Sequence, residues 1–188
     1  MANATTRETG GAGSRTDGVL LRTVENCAAR EFGDYVGAVV SEVLRAEGVA
    51  DPRAGEWYDT AHAAAVCEAV DERVGLNTIE RVGRRLPVVV EWPAGVRTIG
   101  DALAALDDVY ENLHDGDAGA LEFEPTDAAA GRLASTTPYP TAFDEGLIHG
   151  VGREFGQGAG FVTVERAREN SEGATVYDCR WWEAPERR

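Results

Sequence analysis

Residues 136–156 read TTPYPTAFDEGLIHGVGREFG. Pro138 and Pro140 hold the first part extended, because each ring fixes its own φ and biases the residue before it away from the helix. Directly afterwards Phe143, Leu147, Ile148, Val151 and Phe155 recur at helical spacing. The stretch is therefore predicted to be a strand-to-helix joint that seats an apolar helix stripe on a sheet. The flanking segments supply the sheet. GALEFEP (119–125) alternates apolar and polar residues and AGRLAST (130–136) does so more weakly, with an acidic, small-residue turn between them. Downstream, FVTVERA (161–167) and TVYDCRWW (175–182) are strand-like, and RENSEG (168–173) turns between them. The predicted order is β-β-α-β-β, a four-stranded antiparallel sheet with helices packed on it.

The first half reads as helices, which makes the whole α+β. VLLRTVENCAAREFG (19–33) and DYVGAVVSEVLRAEG (34–48) each carry an apolar face and end in glycine. YDTAHAAAVCEAVDERVG (58–75) is a third helix, capped by Asp59 and stopped by Gly75. NTIERVGRRLP (77–87) is a fourth, with Asn77 as cap and Pro87 as terminator, followed by an extended link VVVEWP. A helix from about Thr98 to His114 comes next, with Thr98 and Asp101 as a capping box and a stripe of Leu103, Leu106, Val109, Tyr110 and Leu113. Residues 1–17 are polar, Gly-rich and unpatterned, a predicted disordered tail. Residues 18–188 form one domain, a helical half (18–97) and a helix plus β-β-α-β-β half (98–188).

Charge narrows the partners. Thirty-three acidic residues face 18 basic ones, a net −15, and every basic residue other than histidine is arginine. Such a surface is expected of a halophilic protein: carboxylates hold water, and their repulsion is damped when molar salt shortens the Debye length to about 3 Å. No basic stripe exists to displace phosphate counterions, so nucleic acid and anionic membranes are not expected partners. Residues 1–18 hold no apolar run of a signal peptide, and no run is long enough to span a bilayer, so a cytoplasmic location is expected.

Cys27, Cys67 and Cys179 are far apart and read as buried thiols rather than a disulfide or zinc framework. His62, His114 and His149 form no HxxxH pair, so no metal site is predicted. His114, four residues after Tyr110, is expected to complement a helix C-terminus as a positive group. The glycines of GVGREFGQGAG lie in and after a helix and do not make a phosphate loop. No paired acid and base or nucleophile motif is present, so no catalytic residue is predicted.

The succession of a helix, a hairpin, a helix entered at YPTAFDEGLIHGV (139–151) and a second hairpin ending YDCRWW (177–182) resembles the superfamily of H-NOX domains, vinyl-reductase-type small-molecule-binding domains and TRAPP transport subunits. The resemblance covers Thr98–Trp182, and more loosely the helical half. LDDVY (106–110) resembles the segment that carries the proximal haem histidine in H-NOX proteins, but Tyr110 stands at that position. The Tyr-x-Ser-x-Arg motif that holds the haem propionates falls on ASTTP (134–138), which lacks both the tyrosine and the arginine. The resemblance thus implies a non-enzymatic small-molecule-binding or sensing domain without haem held in the H-NOX mode. Its ligand, a small apolar or aromatic molecule, would lie between helices and sheet, with Trp57, Tyr110, His114, Tyr139, Phe143 and Cys179 as candidate contacts. The alternative is a structural or interaction protein whose aromatic face forms a homodimer or docks a protein partner.

Overall fold

Two glycines set the course of the helical half. The computed structural model describes residues 13–156, 161–170 and 173–182. Helices α1 (Gly18–Phe32) and α2 (Asp34–Ala46) are joined by Gly33 alone, and α3 (Thr60–Val74) and α4 (Leu76–Val89) by Gly75 alone. Each glycine ends one helix and begins the next at a positive φ, 88° and 110°, which glycine adopts without steric cost. Asp17 and Asp59 cap α1 and α3 by accepting from the amides of Val19 and Ala61.

The boundaries of α4 differ from those predicted. Gly75, not Asn77, is its cap, and Pro87 lies inside it. Proline at this point removes only the amide that would bond the carbonyl of Gly83, one turn from the end, where little helix remains to lose. The Val90 amide still donates to the Leu86 carbonyl at 3.2 Å. Val88 and Val89, expected in an extended link, are therefore helical.

The single helix predicted for Thr98–His114 is two, α5 (Ile99–Ala104) and α6 (Leu106–Asn112), parted at Ala105. The capping box of Thr98 and Asp101 is present. Asp107 and Asp108 fall in the first turn of α6, where the helix dipole favours negative charge. The Asp107 carboxylate also accepts from the Leu121 amide at 2.8 Å, which draws the start of α6 toward the next strand.

A three-stranded antiparallel sheet, β1 (Arg15–Asp17), β2 (Trp57–Asp59) and β3 (His114–Asp115) in the order β2-β1-β3, was not legible from alternation, because its strands are two or three residues long. The sequence assigns Arg15–Asp17 to a disordered tail, whereas these residues form the central strand of this sheet. Residues 1–12 of that tail lie outside the described residues.

The second half follows the prediction. Strands β4 (Leu121–Asp127), β5 (Ala130–Ser135), β6 (Phe161–Glu169) and β7 (Thr175–Trp182) form one antiparallel sheet in the order β4-β5-β7-β6, with α7 (Thr141–Phe155) between the two hairpins. Leu121, Leu133, Val162, Tyr177, Cys179 and Trp181 are buried apolar side chains of this sheet.

Helix α7 meets α4 backbone to backbone. A methyl group added at Gly146, Gly83 or Gly150 would collide with the carbonyls of Glu80, Phe143 or Arg84 respectively. Because α4 also packs against α1 and α3, this crossing joins the helical half to the sheet half. Gly146→Ala is expected to lower the unfolding free energy by about 2–3 kcal/mol in chemical denaturation. Gly100→Ala, on α5, meets nothing nearer than 3.4 Å and is the control, expected to be neutral or stabilising.

Candidate functional site

The joint quoted first is built around a buried carboxylate. Asp144, in the first turn of α7 and 2% exposed, accepts from the hydroxyls of Ser135 (2.7 Å), Thr137 (3.1 Å) and Tyr177 (3.2 Å). Charge-assisted bonds and the helix dipole both favour a carboxylate there. The cluster ties α7 to β5 and β7, and it fixes Tyr139, whose buried ring sits 5.1 Å from that of Phe143.

From Tyr139 a chain of polar groups crosses the interior. Its hydroxyl lies 2.8 Å from His114 Nε2, and His114 Nδ1 lies 2.7 Å from the Tyr110 carbonyl. A carbonyl only accepts, so Nδ1 carries the proton. In the neutral ring Nε2 then accepts from Tyr139. The Tyr139 oxygen also lies 2.9 Å from Thr16 Oγ1, and Thr16 Oγ1 donates to Thr60 Oγ1 at 3.0 Å. Tyr110 stacks on His114 with centroids 3.9 Å apart and donates its hydroxyl to the Ala118 carbonyl at 2.6 Å. Burial lowers the His114 pKa from 6.5 to about 4, against the opposing bond to Tyr110. Burial also drives the Tyr110 and Tyr139 phenols far above their ordinary values, so both stay protonated. His114 therefore does serve the end of α6, but as a neutral donor on strand β3 and not as the helix-bound cation expected from sequence.

Above this chain runs an apolar seam between the two halves. It is lined by Leu86, Val90 and Trp92 at the end of α4, by Leu106, Val109, Tyr110 and Leu113 around α6, by Phe143 and Leu147 of α7, and by Leu20, His114 and Leu121. The side chains fill it to about 10 Å³, room for one water molecule at most. Four of the six candidate residues thus come together: Tyr110, His114 and Phe143 line the seam, and Tyr139 stands one hydrogen bond behind His114.

Trp57 and Cys179 do not join them. Trp57 is 43% exposed on β2, with the Arg15 guanidinium 5.8 Å from its ring centroid. Cys179 is buried on β7 against the Tyr177 carbonyl, and burial raises its thiol to about 12. All three cysteines are free and buried. Thr16, Thr60 and Asp144 were missed. Asp144 had a signal: helical spacing puts it on the face of Ile148 and Val151, where a carboxylate requires partners.

The chain is an α+β domain with a helical half clamped on a four-stranded antiparallel sheet, and its fold is that of the H-NOX domains. It superposes on an H-NOX domain of T. Tengcongensis carrying a point substitution, with TM-score 0.64 and 19% identity, covering 88% of this chain and 96% of that one. An oxygen-binding H-NOX domain related to soluble guanylate cyclases, in its oxygen complex, matches with TM-score 0.62 and 18% identity over 91% and 100% of the two chains. An S. oneidensis H-NOX protein in the Fe(II) ligation state, a triple mutant, matches with TM-score 0.65 and 12% identity over 90% and 97%. No family sequence model and no curated protein matches the chain. No helix among the described residues is long and apolar enough to cross a membrane.

The state of His114 sets a pH dependence. The folded ring binds its second proton near pH 4 and the unfolded one near 6.5, so between these values the unfolded state holds more protons. Stability present above pH 6.5 is then lost as pH falls toward 4, by about 2–3 kcal/mol. Unfolding free energies at pH 7 and 4.5 are expected to show this loss in the wild type and a correspondingly smaller one in His114→Gln.

Proposed function

We propose that this chain is a non-enzymatic small-molecule-binding or sensing domain built on the H-NOX scaffold, with its ligand reaching the seam between the helical half and the sheet. The seam itself carries the reading: an apolar lining with two polar side chains, His114 and Tyr110, at the junction of two packed halves. Tyr110, His114 and Phe143 would touch the ligand, and Tyr139 would hold the His114 ring in place. The charge of the chain further supports a cytoplasmic, salt-adapted protein.

As arranged here the residues do not fit a haem. Both His114 nitrogens are bonded, and Tyr110 is a protonated donor to Ala118 rather than a phenolate. The space beside them is about 10 Å³. At the segment matched to the propionate motif, Ser135 and Thr137 are committed to Asp144. A second reading, self-association or docking of a protein partner, is favoured by Phe161 and Trp182. They stack at 4.8 Å and are half exposed at the edge of the sheet.

Thermal unfolding with a panel of small apolar and aromatic compounds tests the first reading. A binder at ten times its Kd is expected to raise Tm by about 3–5 °C, and Leu113→Trp, at the half-exposed wall of the seam, is expected to abolish the rise. A Soret band that survives purification and disappears in Tyr110→Phe or His114→Gln would refute the haem-free mode. No stabilisation across the panel, together with self-association lost in Phe161→Ser/Trp182→Ser, would favour the second reading.

A further inference from the structure

We infer that the seam is reached through a groove on its outer side, and that this groove selects small molecules with an apolar body and a cationic end. The inference rests on the small-molecule reading above. The groove measures about 500 Å³, an ordinary size for a ligand site. Its floor is Val89 and Val90 at the end of α4 with Val109 and Leu113 at α6. Val90, Val109 and Leu113 also line the seam, so one layer of side chains separates the two spaces.

The rim and the interior make opposite demands on a ligand. Asp17, Glu91 and Asn112 are the polar side chains that line the groove, and no basic side chain among the described residues does. Asp17 is fixed in place by the Val19 amide at 2.7 Å and the Gly55 amide at 3.0 Å, so its negative charge stays at the rim. Glu91 is exposed beside it. Behind the partition, both His114 nitrogens and the Tyr110 hydroxyl already have partners. A polar group pushed that far would lose its water without gaining a hydrogen bond, so the inner end of the ligand is apolar. At the outer end an anion would meet two carboxylates on a chain of net charge −15, whereas an ammonium or amidinium group is attracted.

The test uses the full chain and three probes of one shape: 4-phenylbutylamine, 4-phenylbutan-1-ol and 4-phenylbutanoate. Calorimetric titration in about 0.1 M salt is expected to give the order amine, alcohol, carboxylate, with the amine about tenfold tighter than the carboxylate and the gap shrinking as salt is raised. Glu91→Gln is expected to cut that ratio about threefold and leave the alcohol unchanged. Leu113→Ala, which thins the partition, is expected to tighten all three. Equal binding of amine and carboxylate, or a ratio untouched by Glu91→Gln, overturns the charge selection while alcohol binding keeps the seam reading intact. Failure of all three probes to bind overturns both.

Discussion

Where α4 crosses α7, Gly83, Gly146 and Gly150 leave no side chain between the two backbones. The attraction across such a crossing is dispersion summed over many close atom pairs, and it falls steeply with any added separation. Because α1 and α3 rest on α4, and α7 rests on the sheet, the relative position of the two halves is set there. Beside the crossing, Arg84 Nε is buried without a hydrogen-bond partner and His149 Nδ1 has the Glu80 carboxylate at 3.7 Å. The crossing also orients the rest of α7. With its glycines turned to α4, Asp144 reaches Ser135 and Tyr177, while Phe143 and Leu147 project into the seam.

Two buried polar systems then lock the joint from either side. In the Asp144 cluster three hydroxyls replace the water that the carboxyl group has lost. The chain through Tyr139 is neutral throughout, since no charged group faces His114 to offset its burial. That difference decides what each can do. The first is a rigid tie. The second joins the seam to β1 through Thr16, in a sheet that pairs Thr16 directly with His114. A segment as short as Arg15–Asp17 is held there by those bonds and by the Asp17 amide to the Leu113 carbonyl, not by strand propensity.

How much of this was legible follows from how far each signal reaches along the chain. The β-β-α-β-β half was readable because Pro138, Pro140 and the stripe from Phe143 to Phe155 are local statements, and two alternating hairpins flank them. The caps at Asp59 and at Thr98 with Asp101 were readable for the same reason. The three-stranded sheet was not: its strands are brought together from residues 15, 57 and 114, and none is long enough to show a period. Pro87 misled because, two residues before the end of α4, it removes a single backbone hydrogen bond and the helix runs on to Val89. Tyr110 is a candidate because it stands where the H-NOX resemblance puts the haem histidine, His114 because it lies four residues on, and Tyr139 and Phe143 because they belong to the joint; the fold brings all four together. Trp57 is a candidate only as an aromatic and Cys179 only through the vinyl-reductase resemblance, and the fold carries both elsewhere. Thr16 and Thr60 gave no signal, since a lone threonine in a short polar segment looks the same whether it is solvated or buried.

The helix that fixes the two halves also opens the seam at its far end. Between Glu80 and Arg84, α4 is held flush against α7. At Pro87 the hydrogen-bond ladder is interrupted, and by Val90 the chain is extended. At this end of α4, Val89 and Val90 line the groove together with Val109 and Leu113. Trp92 limits how far that wall can move: its indole donates to the Pro87 carbonyl at 2.8 Å, and its ring meets Phe155 edge-on at 4.8 Å. Between the glycine crossing and the Trp92 tether lie Val89, Val90 and Glu91, which line the groove.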